Sequence, residues 1–108
     1  MQFLIIAHDG TDPDAMNRRL AARPAHFERA RKAKADGTLL IGGAILDEHD
    51  QMIGSSLYVE IESREALDQW LADDPYTKGN VWQTFEIHVM RIANLEHFPL
   101  IQVHSPQL

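Results

Sequence analysis

Two adjacent carboxylates, Asp73 and Asp74, stand directly before Pro75 and Tyr76. Read as the C-terminal end of a helix, the pair faces the negative end of the helix dipole and its own like charge, which is an expensive arrangement. The plain alternative is a turn, because Asp before Pro is an ordinary helix terminator. A second candidate is His26, in the stretch Arg23 to His26 (RPAH). Helical spacing sets Arg23, His26, Ala30 and Ala33 on one stripe, with Phe27 on an adjoining core-facing stripe. A carboxylate such as Asp74 brought against His26 would orient the imidazole and make an acid–base unit suited to proton transfer near neutrality. By itself His26 reads more often as a partly buried structural histidine.

Around these two lie groups that can shape or charge a pocket. Gly42 and Gly43 interrupt an apolar run and permit a bulge or the close approach of a ligand. Ser55 follows Gly54 within a strand, without the G-x-S-x-G elbow of a serine hydrolase. Arg23 can hold a carboxylate, and Tyr76 can close or polarise a pocket. His8 and Asp9 end a strand. Arg18, Arg19, Arg29, Arg31 and Lys32 read as solvated helix faces. The remaining histidines show neither H-x-H nor HExxH spacing, so no metal ligand set is assigned. GxGxxG and P-loop patterns are absent, and no cofactor is expected.

Several elements must position these side chains. Residues 2–8 form an apolar strand closed by Asp9 and Gly10. Pro24 suits a first helical turn, so residues 13–21 read as a preliminary helix and 23–35 as the main one, stopped at Gly37; a single kinked helix is the alternative. Met16, Leu20, Phe27, Ala30 and Ala33 supply its apolar spacing. A second apolar strand, read as buried, spans 38–46. A third spans 52–62 with Ile53, Leu57, Val59 and Ile61 on one face. Ser63 caps a helix over 64–73, ended by Asp74 and Pro75. The fourth strand, 81–92, sets Val81, Phe85, Ile87 and Val89 against Trp82, Thr84, Glu86, His88 and Met90. The order βαββαβ predicts a ferredoxin-like α+β sandwich: an antiparallel four-stranded sheet with both helices on one face. A second subunit laid sheet to sheet would cover the other face, so a homodimer is expected, with a higher oligomer as a variant. Residues 1–92 read as the domain, and 93–108 as a C-terminal tail that packs on the partner subunit.

Composition sets the outer bounds. The chain of 108 residues carries ten Lys and Arg against sixteen Asp and Glu, a formal charge of −6. This acidic balance argues against nucleic-acid binding. The absence of cysteine excludes disulfides, thiolate nucleophiles and Cys-ligated metals. The apolar run from Phe3 to Ala7 is too short for a signal sequence or a membrane span, and a cytoplasmic location is expected.

Taken in order, Arg23 to His26, Gly37 to Gly43 (GTLLIGG), Gly54 and Ser55, and Asp73 to Tyr76 resemble the YciI-like (YCII-related) family. Asp9 to Asp12 (DGTD), with Arg18 and Arg19, resembles one branch of it. The likeness spans about residues 1–92. It implies a dimeric α+β barrel of two ferredoxin-like subunits and an active site centred on a His–Asp pair, here His26 and Asp74. Some members of the family resemble chloromuconolactone dehalogenases and muconolactone isomerases. The chain departs from the family pattern at Ala44, where the family often has proline, and in the long segment after Arg91.

The leading expectation is a small-molecule enzyme of the isomerase, lyase or dehalogenase kind. In it His26 is general acid and base, Asp74 orients it, and Arg23, Gly42, Gly43, Ser55 and Tyr76 bind a small, anionic organic substrate. The alternative is a non-catalytic module that binds a small ligand or a protein at the same cleft. A cofactor-free oxygenase using the Trp82, His88 and Met90 face is the third reading.

Overall fold

The computed structural model describes residues 1–97. It holds β1 (Gln2–Asp9), α1 (Ala15–Asp36), β2 (Leu39–Leu46), β3 (Met52–Glu60), α2 (Arg64–Ala72), α3 (Pro75–Lys78) and β4 (Trp82–Met90), followed by a 3-10 turn at Leu95–His97. The four strands form one antiparallel sheet in the order β2-β3-β1-β4. This is the ferredoxin-like α+β arrangement that the element order predicts. The expected packing of the C-terminal tail falls mainly on residues 98–108, outside the described part.

Strand alternation builds the core. Phe3, Ile5 and Ala7 point to the helix side with Val59, Leu57 and Ser55 opposite them, and all six are buried. Leu67 and Leu71 of α2, Tyr76 of α3 and Val81 close over this row. Burying each of the large apolar side chains contributes about 1.5–3 kcal/mol. Side-chain size falls along the sheet. Leu39, Val59 and Phe3 form one row across the strands, and Ala44, Ser55 and Ala7 another. The small residues leave space at that end of the sheet.

The first helix is one element of 22 residues with Pro24 inside it, so the break expected before Arg23 is absent. Proline there forfeits a backbone hydrogen bond and crowds the preceding turn. The helix continues because both halves are anchored, by buried Arg19 before Pro24 and by buried His26 and Ala33 after it. The buried stripe is therefore Arg19, His26 and Ala33, with Ala22 and Ala30 beside it, while Leu20 and Phe27 are 49% and 39% exposed. The expected core-facing role of Phe27 is corrected, and Leu20 of the same apolar spacing also faces outward: polar side chains occupy much of the inner face. Gly37 ends the helix at φ 88°, a left-handed conformation that glycine adopts without strain.

Two further expectations change. The second strand lies at the sheet edge, not buried, and Ile41 and Leu46 are 63% and 51% exposed. In β4, His8 faces Thr84 but Asp9 faces Trp82, so Gln83 is an extra residue. Such a bulge reverses the alternation. It turns Trp82, 2% exposed, onto the helix side and away from His88 and Met90. The grouping that suggested an oxygenase is thereby dissolved. The sheet face away from the helices carries half-buried Leu4, Ile6, Ile45, Tyr58 and Met90, exposed Ile41, and an ion pair between His8 and Glu86 at 2.7 Å.

Candidate functional site

The end of the sheet with small side chains opens into a cleft of about 220 Å³ between α1, β2, β3 and the start of α3. His26, Asp74, Arg23, Gly42, Gly43, Ser55 and Tyr76, singled out from the sequence, all line it. Local chemistry positions each one.

Asp74 is not part of a helix C-terminus. Asp73 ends α2, and Asp74 is the N-cap of α3, where its Oδ1 accepts the Tyr76 N–H at 2.9 Å and Pro75 takes the first helical position. The like-charge pair read from the sequence thus divides between two helix ends. Asp73 turns outward to accept from Gln69 Nε2 at 2.9 Å. Asp74 turns inward, its side chain 4% exposed. Its Oδ1 also accepts from His26 Nδ1 at 2.7 Å, and its Oδ2 from Arg29 NH1 at 3.1 Å. Three donors on a buried carboxylate compensate its desolvation.

Asp74 leaves the second ring nitrogen of His26, Nε2, without a partner among the described residues, on the wall of the cleft. The ring is held from its other sides too. Tyr76 stacks on it at 3.8 Å and 12°, and the Trp82 ring meets it edge-on at 5.3 Å. Tyr76 is 1% exposed. Burial lifts its phenol above the usual tyrosine range, opposed by Arg19 and Arg23, so it stays protonated at neutral pH. The Tyr76 ring forms the bed on which the imidazole lies.

A second buried network adjoins the first. Arg19 NH1 binds both carboxylate oxygens of Asp9 at 2.8 and 2.9 Å, with side chains 4% and 5% exposed. Arg19 NH2 donates to Ser55 Oγ at 3.0 Å, and Trp82 Nε1 donates to the same oxygen at 3.1 Å. The Arg19 guanidinium also sits 4.8 Å from the Tyr76 ring centre, linking the two networks. Arg19 and Arg29 were read as solvated; both are engaged in ion pairs. Continuing the stripe of Arg23 and His26 one turn back reaches Arg19, but the helix break inferred at Pro24 concealed it. Trp82 was hidden by the bulge, which leaves no mark in local sequence.

The charges favour an anion. Arg19, Arg23 and Arg29 line the cleft. Asp9 and Asp74 neutralise two of them, while Arg23 stacks on Phe27 at 4.9 Å and pairs with no carboxylate among the described residues. One positive charge in the cleft of an otherwise acidic protein therefore lacks a carboxylate partner among the described residues. Gly42 packs closely on its neighbour: a Cβ there would stand 2.8 Å from Leu57 Cδ2. Among the described residues no group of three or more His, Asp or Glu side chains has metal-binding geometry, and no helix is long and apolar enough to cross a membrane.

Comparison with known proteins agrees with this architecture. The family model of the YCII-related domain matches residues 1–91. Protein YciI of Escherichia coli O6:H1 is 34% identical over 89 residues, covering 77% of this chain and 89% of that protein. An uncharacterised protein of Haemophilus influenzae is 33% identical over 88 residues, covering 76% and 88%. Among solved structures, a 5-chloro-2-hydroxyhydroquinone dehydrochlorinase from Burkholderia phenoliruptrix AC1100, in complex with 2,5-dihydroxybenzoquinone, superimposes with a TM-score of 0.73. It is 27% identical, and the match covers 90% of this chain and 98% of that one. The chain belongs to the YCII-related family.

Proposed function

We propose that the protein is a small-molecule enzyme that moves a proton on a small organic anion, with His26 as general acid and base. The observation that carries this reading is the buried 2.7 Å contact between Asp74 Oδ1 and His26 Nδ1. A carboxylate there selects the tautomer with hydrogen on Nδ1, so Nε2 offers its lone pair to the cleft. Such a base can accept a proton from a bound carbon or oxygen acid and return it to another atom. Arg23 holds the anionic end of the substrate, and Gly42 and Gly43 leave it room beside β2. The structural likeness to a dehydrochlorinase, an enzyme that removes a proton together with chloride, supports the same class of chemistry.

The test is solvent-deuterium exchange and turnover of small hydroxyquinones, lactones and aromatic acids, beginning with 2,5-dihydroxybenzoquinone as a binding probe. His26→Ala and Asp74→Asn should each lower turnover by about a hundred- to ten-thousand-fold, the usual worth of a positioned acid–base group. Binding without turnover in the parent protein, unaffected by His26→Ala, would identify a non-catalytic binding module instead.

The reading includes a dimer closed sheet to sheet. Leu4, Ile6, Tyr58 and Met90 form an apolar centre on a face that no helix covers. Ile6→Glu is expected to halve the mass measured by light scattering; an unchanged mass would remove this face from the interface.

A further inference from the structure

Ser55 is more constrained than a lining residue needs to be. A serine hydroxyl has two acceptor positions and one donor hydrogen. Both groups that reach Ser55 Oγ, Arg19 NH2 at 3.0 Å and Trp82 Nε1 at 3.1 Å, are donors with no accepting capacity. They occupy the two lone pairs and leave the O–H to point along the remaining tetrahedral direction. The hydroxyl meets no acceptor among the described residues, although Ser55 is 3% exposed and lines the cleft. Its oxygen is fixed by a guanidinium that is itself clamped to Asp9. A hydroxyl whose lone pairs are both engaged, one of them by a cation, is also a stronger donor.

We infer that Ser55 is a built donor for a substrate oxygen that gains negative charge, and that the substrate is a small anionic carbonyl compound with an acidic hydrogen next to its carbonyl. This rests on the proton-transfer reading above and specifies its substrate. His26 and Ser55 line the same cleft and both contact Trp82, the ring at 5.3 Å and Oγ at 3.1 Å, so one molecule in the cleft can meet both. His26 Nε2 takes the hydrogen from the carbon beside the carbonyl. The C–H pair becomes a C=C bond, and the carbonyl π pair moves onto oxygen, which Ser55 O–H holds as an enolate. The imidazolium then returns its proton to a different carbon or to the oxygen, and no other reactant is consumed. Donors fixed in advance at the developing charge cost no reorganisation during the reaction.

The test uses ring-substituted nitrophenolates of matched shape and rising proton affinity as stand-ins for the enolate, at a pH where all are ionised. The parent protein should bind them more tightly as proton affinity rises. Ser55→Ala should lower affinity about 10- to 100-fold, the value of a hydrogen bond to a charged group, and flatten that dependence. Equal affinities in the two proteins, or no phenolate binding by the parent, would overturn the inference. Should Ser55→Ala fail to fold, Trp82→Phe frees one lone pair and lets the hydroxyl turn. Its preference for phenolate over neutral phenol should then fall, and an unchanged preference also overturns the inference. Failure of the proton-transfer reading is seen separately, as deuterium exchange that survives His26→Ala.

Discussion

Asp73 and Asp74 are neighbours in sequence, yet their replacement by asparagine should have very different consequences. At Asp74 three donors converge on one carboxylate that is 4% exposed. Asparagine retains one acceptor oxygen. That oxygen stays with the Tyr76 N–H and His26 Nδ1, where it keeps two hydrogen bonds, and the new NH₂ then confronts Arg29 NH1, a donor against a donor. The lost bond is charge-assisted, worth about 1.5–3 kcal/mol, and the remaining two weaken as the charge disappears. Arg29 is 26% exposed and recovers part of this through water. The expected cost is about 2–4 kcal/mol, below the roughly 3–5 kcal/mol of an ion pair broken in full burial. For a domain of this length it lowers Tm by about 10–20 °C. Asp73 is exposed and accepts one bond from Gln69, so Asp73→Asn should stay within about 0.5 kcal/mol. Urea and thermal unfolding of both variants at neutral pH measure the contrast. A cost at Asp74 no larger than that at Asp73 would refute the account of Asp74 as a buried, triply bonded side chain.

Three more outcomes follow from other parts of the structure. Arg19→Met leaves the Asp9 carboxylate, 5% exposed, without its cation and should cost about 3–5 kcal/mol; adding Asp9→Leu should recover much of it in the same unfolding assay. A Cβ at Gly54 would lie 2.4 Å from the Ala7 carbonyl oxygen, whereas one at Gly43 meets nothing within 4 Å. Gly54→Ala should therefore lower Tm sharply and Gly43→Ala hardly at all. The Asp12 carboxyl, bonded by Arg18 at 2.7 and 2.8 Å, is lowered from 3.8 to about 2, chiefly by that side-chain bond. Its stabilising contribution is complete above the ordinary value and disappears as pH falls through about 2. Carbon-detected NMR titration should place the Asp12 midpoint there, and Arg18→Gln should return it toward 3.8.

Much of the architecture was legible in the chain itself. Short-range chemistry marks the strand runs, the Ser63 cap and the stop at Gly37, because each depends on residues a few positions apart. His26 and Asp74 stood out as types, and the order βαββαβ predicts the sheet that brings them together. The inner face of α1 was misread, since a hydrophobic pattern selects Leu20 and Phe27 while the buried stripe carries Arg19 and His26. Burying those two requires partners from β1, β3 and α3, and no local pattern contains them.

What the sequence determined alone was therefore the set of elements, their order and the presence of a histidine and a carboxylate able to pair. The tertiary structure decided which side chains share the cleft. Pro24 remains inside a helix because contacts on both sides of it outweigh one lost bond. One extra residue in β4 turns Trp82 inward onto Ser55. Both results depend on packing and strand register between distant segments, whose energies exist only once the segments meet.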